Sequence, residues 1–179
     1  MIGMLGYSKW GMWMLDFFIP PDEQCVKVSA PVSYLYDGEG DAPAVISEVV
    51  LRNHPVVVEN PGMLMVVFRP IDKGVYGPGD PKRGDVFLHT VDRLQLYFVE
   101  LKLWRVSGWF KVGVEQLKSV ITAFNSMHSD VSRRALVRRA YICNPHRPSF
   151  AYSHANEIRD FRRETNFVLY PEGRVKVGV

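Results

Sequence analysis

The chain has 179 residues, of which 47% are hydrophobic and 12% aromatic, enough apolar side chains to fill one sizeable core. We therefore expect a single domain over residues 1–179. A net charge of +3 permits a nucleic-acid partner without demonstrating one. Two cysteines and no glycosylation acceptor argue against an oxidising compartment, so a cytoplasmic protein is expected. No continuous apolar run reaches the roughly 18 to 20 residues of a membrane span, so no membrane partner is predicted.

The N-terminal part of the chain predicts short strands and turns. Residues 1–43 mix aromatic residues with turn-forming pairs and predict a β-rich elaboration. Residues 44–51 fit either a short helix or a strand, because their apolar positions follow neither period cleanly. Residues 56–58 and 63–68 predict short strands. The glycine- and proline-rich residues 72–84 predict an irregular loop.

A hairpin is the most informative element of the sequence. Residues 85–90 and 94–104 are both rich in apolar and aromatic side chains, and polar residues lie between them where a hairpin loop is expected. The loop would contain either two residues (92–93) or four residues (91–94). We therefore predict an antiparallel pair of strands.

The hairpin register brings charged residues together. With either loop length, Val86 pairs with Val99 and Asp85 pairs with Glu100, whereas an odd loop length would shift this pairing. Side chains alternate along a strand, so Glu100 and Lys102 project from the same face. Two carboxylates and one amine are therefore expected to converge at the end of the hairpin.

The C-terminal half predicts two further helices and more strands. A helix is expected from just after Gly108 to about residue 124, and residues 140–143 predict a short buried strand. Residues 155–164 predict another helix, and residues 167–170 and 174–177 a closing hairpin. The apolar stripe of the first of these helices consists of Phe110, Val114, Leu117, Ile121 and Phe124.

The charged group indicates a metal site. Two carboxylates in an apolar hairpin repel each other and lose hydration, and a bound Mg²⁺ would relieve that cost. Asp85 and Glu100 would supply oxygen ligands, with the backbone carbonyl of Leu101, leaving positions for water and a phosphate oxygen. The ammonium of Lys102 would orient the metal-bound hydroxide and stabilise charge on the phosphate. This pattern predicts phosphodiester hydrolysis.

These residues resemble a known family. Gly84-Asp85, followed by Val99-Glu100-Leu101-Lys102 and then a helix, is similar to the PD-(D/E)xK nuclease superfamily. The resemblance implies Mg²⁺ or Mn²⁺ as cofactor, bound by Asp85, Glu100 and Leu101, with Asp85, Glu100 and Lys102 as catalytic residues. It also implies a catalytic role for the glutamine of the following helix, which is Gln116 here.

The resemblance covers roughly residues 44–145 and implies a fold. That fold is a restriction-endonuclease-like αβββαβ core of the α+β or α/β class, with a mixed central sheet flanked by helices. Residues 146–179 would add a C-terminal helix and hairpin. The sequence departs from the family in having Gly84 where the motif has proline. Many members place another carboxylate on the first core helix, and Glu48 is the candidate here.

The resemblance also implies partners, and it is compatible with two functions. In the first, the protein is a nuclease acting on nucleic acid, DNA in preference to RNA, alone or as a homodimer or with a partner protein. In the second, the same fold is catalytically silent and serves as a nucleic-acid-binding or protein-interaction module. Fold resemblance alone does not separate these readings.

Other patterns have plainer interpretations. Asp80-Pro81-Lys82 repeats the acidic-x-lysine spacing but lies in the predicted loop. Cys143 and His146 have the spacing of half a zinc site, but no second pair of ligands accompanies them. The basic C-terminal half fits either phosphate contacts or a solvated surface with local ion pairs. Its arginines are Arg133, Arg134, Arg138, Arg139, Arg147, Arg159, Arg162 and Arg163.

Overall fold

The computed structural model describes residues 16–18, 25–40, 42–72, 84–102, 108–145 and 154–178. Within these ranges the protein is α+β, with two mixed sheets and three helices. In chain order the elements are β1 (Val26–Val28), β2 (Val32–Tyr36), β3 (Val45–Ser47), β4 (Val56–Glu59), β5 (Val66–Pro70), β6 (Val86–Thr90), β7 (Gln95–Leu101), α1 (Trp109–Met127), α2 (Ser129–Arg134), β8 (Val137–Cys143), α3 (Ala155–Thr165), β9 (Val168–Tyr170) and β10 (Arg174–Lys176).

The larger sheet carries the hairpin. Its strand order is β1-β5-β6-β7-β8-β9, with antiparallel pairing from β1 to β7 and parallel pairing from β7 to β9. The smaller sheet has the order β10-β4-β2-β3, in which only β10 and β4 are parallel. The segment from β5 to β8 thus consists of three antiparallel strands, a crossover helix and a parallel strand.

Alternation along β7 divides the core into two layers. Leu96 and Phe98 face α1 and pack with its apolar stripe, together with Phe161 of α3. Tyr97 and Val99 face the opposite side, where they pack against the smaller sheet. The expectation of a sheet flanked by helices therefore holds for one face only. The other face is covered by the smaller sheet, because the valines and leucines of β2, β4 and β10 bury their apolar sides there.

The predicted hairpin is confirmed. Strands β6 and β7 pair antiparallel, with Val86 opposite Val99, across the four-residue loop 91–94. Arg93 adopts a φ of 59° in this loop. The carboxylate of Asp92 accepts hydrogen bonds from Thr90 and from the backbone N–H of Leu94, so Asp92 is a turn residue, as expected.

The helix after the hairpin is also confirmed, and it runs slightly beyond the predicted end. All five residues of its apolar stripe are buried in α1. The helix predicted over residues 155–164 is observed as α3. The strand predicted over residues 140–143 begins earlier, at Val137, because pairing with β7 extends over seven positions.

Residues 44–51, which were expected to form either a short helix or a strand, contain the strand β3, whose backbone pairs with β2. Two other predictions need correction. The first helix of the implied αβββαβ core is not found in the described residues 42–65. The prediction that residues 167–170 and 174–177 form a closing hairpin is wrong as well. Strand β9 joins the larger sheet beside β8, whereas β10 joins the smaller sheet beside β4. Val175 and Val177 are then fully buried between the two sheets.

Several predicted features lie outside the described residues, namely the Asp80-Pro81-Lys82 triplet, the last two residues of the strand predicted over residues 94–104, His146 and Arg147. No helix within the described part of the chain combines the length and apolarity needed to cross a membrane.

Candidate metal centre

The backbone places Asp85 beside the end of β7. Its N–H donates to the carbonyl of Val99 at 3.1 Å, and its carbonyl accepts from Ile71 at 2.8 Å. The strand ladder ends at the pair of Val86 and Val99. The predicted pair of Asp85 and Glu100 is therefore not part of the ladder. Instead its Oδ2 accepts a hydrogen bond of 2.6 Å from the N–H of Leu101. The side chain thereby reaches past Glu100 to the next residue.

Leu101 contributes a backbone oxygen on the same side. In a β-strand the N–H and C=O of one residue point toward the same neighbouring strand. Since the N–H of Leu101 donates to Asp85, its carbonyl lies on that edge as well. The N–H of Lys102 donates to Cys143 on the opposite neighbour at 2.8 Å. The carbonyl that was predicted as a ligand is therefore on the side of the Asp85 carboxylate.

Glu100 is completely buried beneath α1. The helix passes close over this side chain at Gly113: a Cβ there would contact Cγ of Glu100 at 3.5 Å and crowd two atoms of Ile142 at 3.3 Å. Oε1 of Glu100 forms an ion pair with Lys102. Oε2 has no hydrogen-bond partner among the described residues, which is rare for a buried carboxylate oxygen.

Lys102 links the carboxylates to α1. Its ammonium is almost buried, pairs with Glu100 and donates a hydrogen bond of 2.7 Å to Oε1 of Gln116. Gln116 lies on the helix at the edge of the apolar stripe, where it is half-buried. The structure thus brings together the four side chains that the sequence had singled out, although their chemical roles stay predictions.

The carboxyl groups of Asp85 and Glu100 both have pKa values raised above those of exposed carboxyl groups. Burial raises the pKa of Asp85 to about 7, partly opposed by the hydrogen bond from Leu101 and increased by the charge of Asp37. Burial also raises the pKa of Glu100 well above its ordinary value, and the charge of Asp85 raises it further, partly opposed by the charge of Lys102 and its hydrogen bond. A divalent cation would replace these protons and remove the repulsion.

The donor set suits magnesium or manganese better than a metal that needs many protein ligands. No group of three or more His, Cys, Asp or Glu side chains in the described ranges is arranged to hold an ion. The residues that would hold one here are Asp85, Glu100 and the carbonyl of Leu101, with water in the remaining positions. Mg²⁺ characteristically keeps several waters when it binds. The unpartnered oxygen of Glu100 fits this requirement.

Asp37 is a neighbouring acid that the sequence did not reveal. It follows β2 in the smaller sheet, and its charge raises the pKa of both Asp85 and Glu100. The pair Asp37-Gly38 had indicated only a turn, and no sequence motif connects it with the hairpin. Glu48, the predicted additional carboxylate, is exposed at the turn after β3.

The arginines of β8 lie away from this site. Arg138 aligns with Leu96, whereas Ile142 aligns with Glu100, a difference of four strand positions or about 13 Å. Arg138 donates to the carbonyl of Ser132 and Arg139 lies over the ring of Tyr170. These two arginines are therefore engaged within the fold, at the other end of the strand.

Two further interpretations lose support: a zinc site at Cys143, and stacking of bases on aromatic side chains near the hairpin. Cys143 is fully buried, and burial raises the pKa of its thiol well above the ordinary value, which disfavours the thiolate that zinc requires. Aromatic rings near the site could also stack on the bases of a nucleic acid, but Tyr97 and Trp109 are buried in the core.

No known protein family, curated protein or solved structure gives a match to this chain.

Proposed function

We propose that the protein is a nuclease that uses Mg²⁺ or Mn²⁺ to hydrolyse phosphodiester bonds of nucleic acid, DNA in preference to RNA. The observation that carries the proposal is the carboxylate of Glu100. It is fully buried, lacks a hydrogen-bond partner at Oε2 and lies next to a second raised-pKa carboxylate, Asp85. Burial of such a pair is costly unless a cation joins it.

The order of elements supports a restriction-endonuclease-like core. Three antiparallel strands, the crossover helix α1 with the short helix α2, and a parallel strand follow one another from β5 to β8. This order is the one expected for the βββαβ part of the implied core, and Asp85 lies just before its second strand and Glu100 near the end of its third. The smaller sheet occupies the layer on the other face, in place of a helix.

The proposed chemistry assigns a task to each side chain. Asp85, Glu100 and the carbonyl of Leu101 would hold the cation, which supplies a water of lowered pKa and a counter-charge for the phosphate. The attacking water oxygen would form a bond to phosphorus and release a proton to solvent, while the bond to the leaving sugar oxygen would break and that oxygen would take a proton from a second water. Lys102 would orient the attacking water and stabilise negative charge on the phosphate. Gln116 fixes the position of the ammonium.

Lys102 would change its partner when the cation binds. In the structure its ammonium neutralises Glu100. If Glu100 held a divalent cation, the ammonium of Lys102 would no longer be needed to neutralise it and would be available to the phosphate, with Gln116 still as its hydrogen-bond partner. The same lysine thus limits the cost of the buried carboxylate before binding and assists catalysis afterwards.

The test is a cleavage assay with Mg²⁺ or Mn²⁺ on single- and double-stranded DNA and RNA. We expect Glu100→Gln, Asp85→Asn and Lys102→Met each to lower the rate by about 100-fold or more. Glu115→Gln, which alters an exposed acid on the same helix, should cleave like the wild type. Full activity in all three site variants would refute the proposal. Cation binding without cleavage on any substrate would favour a silent binding module instead.

A further inference from the structure

A cleft opens at the end of β7, on the face of the larger sheet that is turned toward the smaller sheet. It has a volume of about 230 Å³ and is lined by both sheets. Leu101 and Lys102 line it from β7, and residues of the segments 35–39 and 52–56 line it from the smaller sheet. Glu100, the residue before Leu101, lies on the other face, under α1. The proposed site and the cleft therefore meet where β7 ends.

Lys102 belongs to both the proposed site and the cleft. Its ammonium pairs with Glu100 and donates to Gln116, and the same residue lines the cleft. Strand β7 ends at Leu101, so Lys102 lies at the end of the sheet, where its side chain reaches both faces. A nucleic-acid strand with one phosphate at Lys102 would bring the adjoining nucleotide to the mouth of the cleft.

The lining of the cleft suits a single nucleobase. Leu35, Val56 and Leu101 provide buried apolar walls, and the exposed residues Asn53 and His54 lie at the opening. Apolar walls with a few polar groups are typical of sites for small ligands. The volume is below the roughly 300 to 1,000 Å³ of pockets for drug-sized ligands. The cleft therefore admits one flat ring system and excludes a double helix.

Arg52 provides hydrogen-bond donors at the rim of the cleft. It donates to the backbone carbonyl of Asp37 and forms an ion pair with Glu39, and its guanidinium lies over the ring of Tyr36, 5.2 Å from the centroid. A guanidinium has five N–H donors in a rigid plane, so these contacts leave further donors for a phosphate oxygen. The side chain is 37% exposed. The rim can thus contact the sugar-phosphate chain while the apolar walls contact a base.

We infer that the cleft binds the unpaired base of the nucleotide next to the scissile phosphate, and that the substrate is single-stranded DNA. This inference rests on the proposed function. A base can enter the cleft only when it is neither paired nor stacked in a double helix. Extracting a base from a duplex costs free energy, and a single strand avoids that cost. Contact between a base and apolar walls does not depend on which base is present, so the selection is for strandedness rather than for sequence.

The first experiment uses the wild-type chain with Mg²⁺ and a labelled DNA oligonucleotide, either single-stranded or annealed to its complement. Cleavage of the single strand should be faster by about 10-fold or more. An abasic nucleotide is then placed on one side or the other of the cleaved bond. One of these two substrates should be cleaved about 10-fold more slowly, because it lacks the base that enters the cleft.

The second experiment measures binding without cleavage, by fluorescence anisotropy with a single-stranded thymidine oligonucleotide and no divalent cation. Asn53→Trp places a large side chain at the opening and should weaken binding by about 10-fold. The matched control Val50→Trp adds the same side chain at an exposed position of the β3–β4 connection that does not line the cleft. It should bind within about twofold of the wild type. If the melting temperature of Asn53→Trp falls, the abasic substrates still test the inference, since they need no variant.

The outcomes separate this inference from the nuclease proposal. Equal cleavage of single-stranded and duplex DNA, or full activity on both abasic substrates, would overturn the inference and leave the nuclease proposal standing. Binding that Asn53→Trp weakens, without cleavage of any substrate, would retain the cleft as a site for single strands and refute the nuclease. Absence of cleavage together with equal binding by the two tryptophan variants, or with no binding by the wild type, would overturn both.

Discussion

Two buried polar clusters of the larger sheet differ in whether their polar atoms all have hydrogen-bond partners. At one cluster, Arg69 donates to Nε2 of His89 at 3.1 Å and to the sulfur of Cys25 at 3.0 Å, and Nδ1 of His89 lies 2.8 Å from the carbonyl of Thr90. Both ring nitrogens of His89 are thus used. At the other cluster, Oε2 of Glu100 has no hydrogen-bond partner among the described residues.

This difference supports a structural role for the first cluster and the proposed cation-binding role for the second. Buried polar groups in folded proteins are almost always hydrogen-bonded, because an unmet partner costs on the order of 1–3 kcal/mol. The His89 cluster meets this condition with protein atoms alone, so packing explains it. The Glu100 cluster does not, and a bound cation would complete it.

The two clusters should have opposite dependences of stability on pH. Burial lowers the pKa of His89 to about 4, from 6.5 in an unfolded chain. The stabilisation is therefore present above pH 6.5 and is lost as the pH falls from 6.5 toward 4, by up to about 3 kcal/mol. Urea unfolding between pH 7 and 4.5 should show that His89→Gln removes this part of the slope. His54→Gln, at an exposed position, serves as the control and should retain the slope.

The acid pair should behave in the reverse sense without divalent cations. Burial raises the pKa of Asp85 to about 7, so its contribution to stability is full below the unfolded pKa of 3.8 and is lost as the pH rises through 7. Asp85→Asn should therefore raise the melting temperature at pH 8 by roughly 3 to 8 °C. Mg²⁺ should stabilise the wild type but not this variant. A lower melting temperature for Asp85→Asn would show that the carboxylate stabilises the fold by itself.

The smallest effect is expected at the far end of β8. Arg138→Gln removes a positive charge about 13 Å along the strand from Glu100. Its guanidinium donates to the backbone of Ser132 and does not reach the site. Cleavage rate and nucleic-acid affinity should therefore stay within about twofold of the wild type. A large loss of affinity at low salt would place the nucleic acid across this end of the sheet.

Elements with a strong local pattern were predictable from the sequence. The apolar stripe of α1 has spacings of three and four, and the strands of the β6–β7 hairpin flank a polar loop, so both were recognised with the correct pairing of Val86 and Val99. Residues 44–51 have no such pattern, and pairing with β2 decided their conformation. The strand β10 was identified but assigned the wrong partner, because a short strand can pair with any free sheet edge.

At the candidate site, too, some features were predictable from the sequence and others depended on tertiary packing. The sequence by itself determined which hairpin carries Glu100 and Lys102 on one face, because alternation along a strand is a local property. Only the tertiary structure decided that Glu100 is fully buried under Gly113 of α1 and that Asp85 accepts a hydrogen bond from the N–H of Leu101. It also decided that Asp37 lines the same cleft as Leu101 and Lys102. These relations join segments far apart in the chain. They depend on how layers pack, which no local periodicity records.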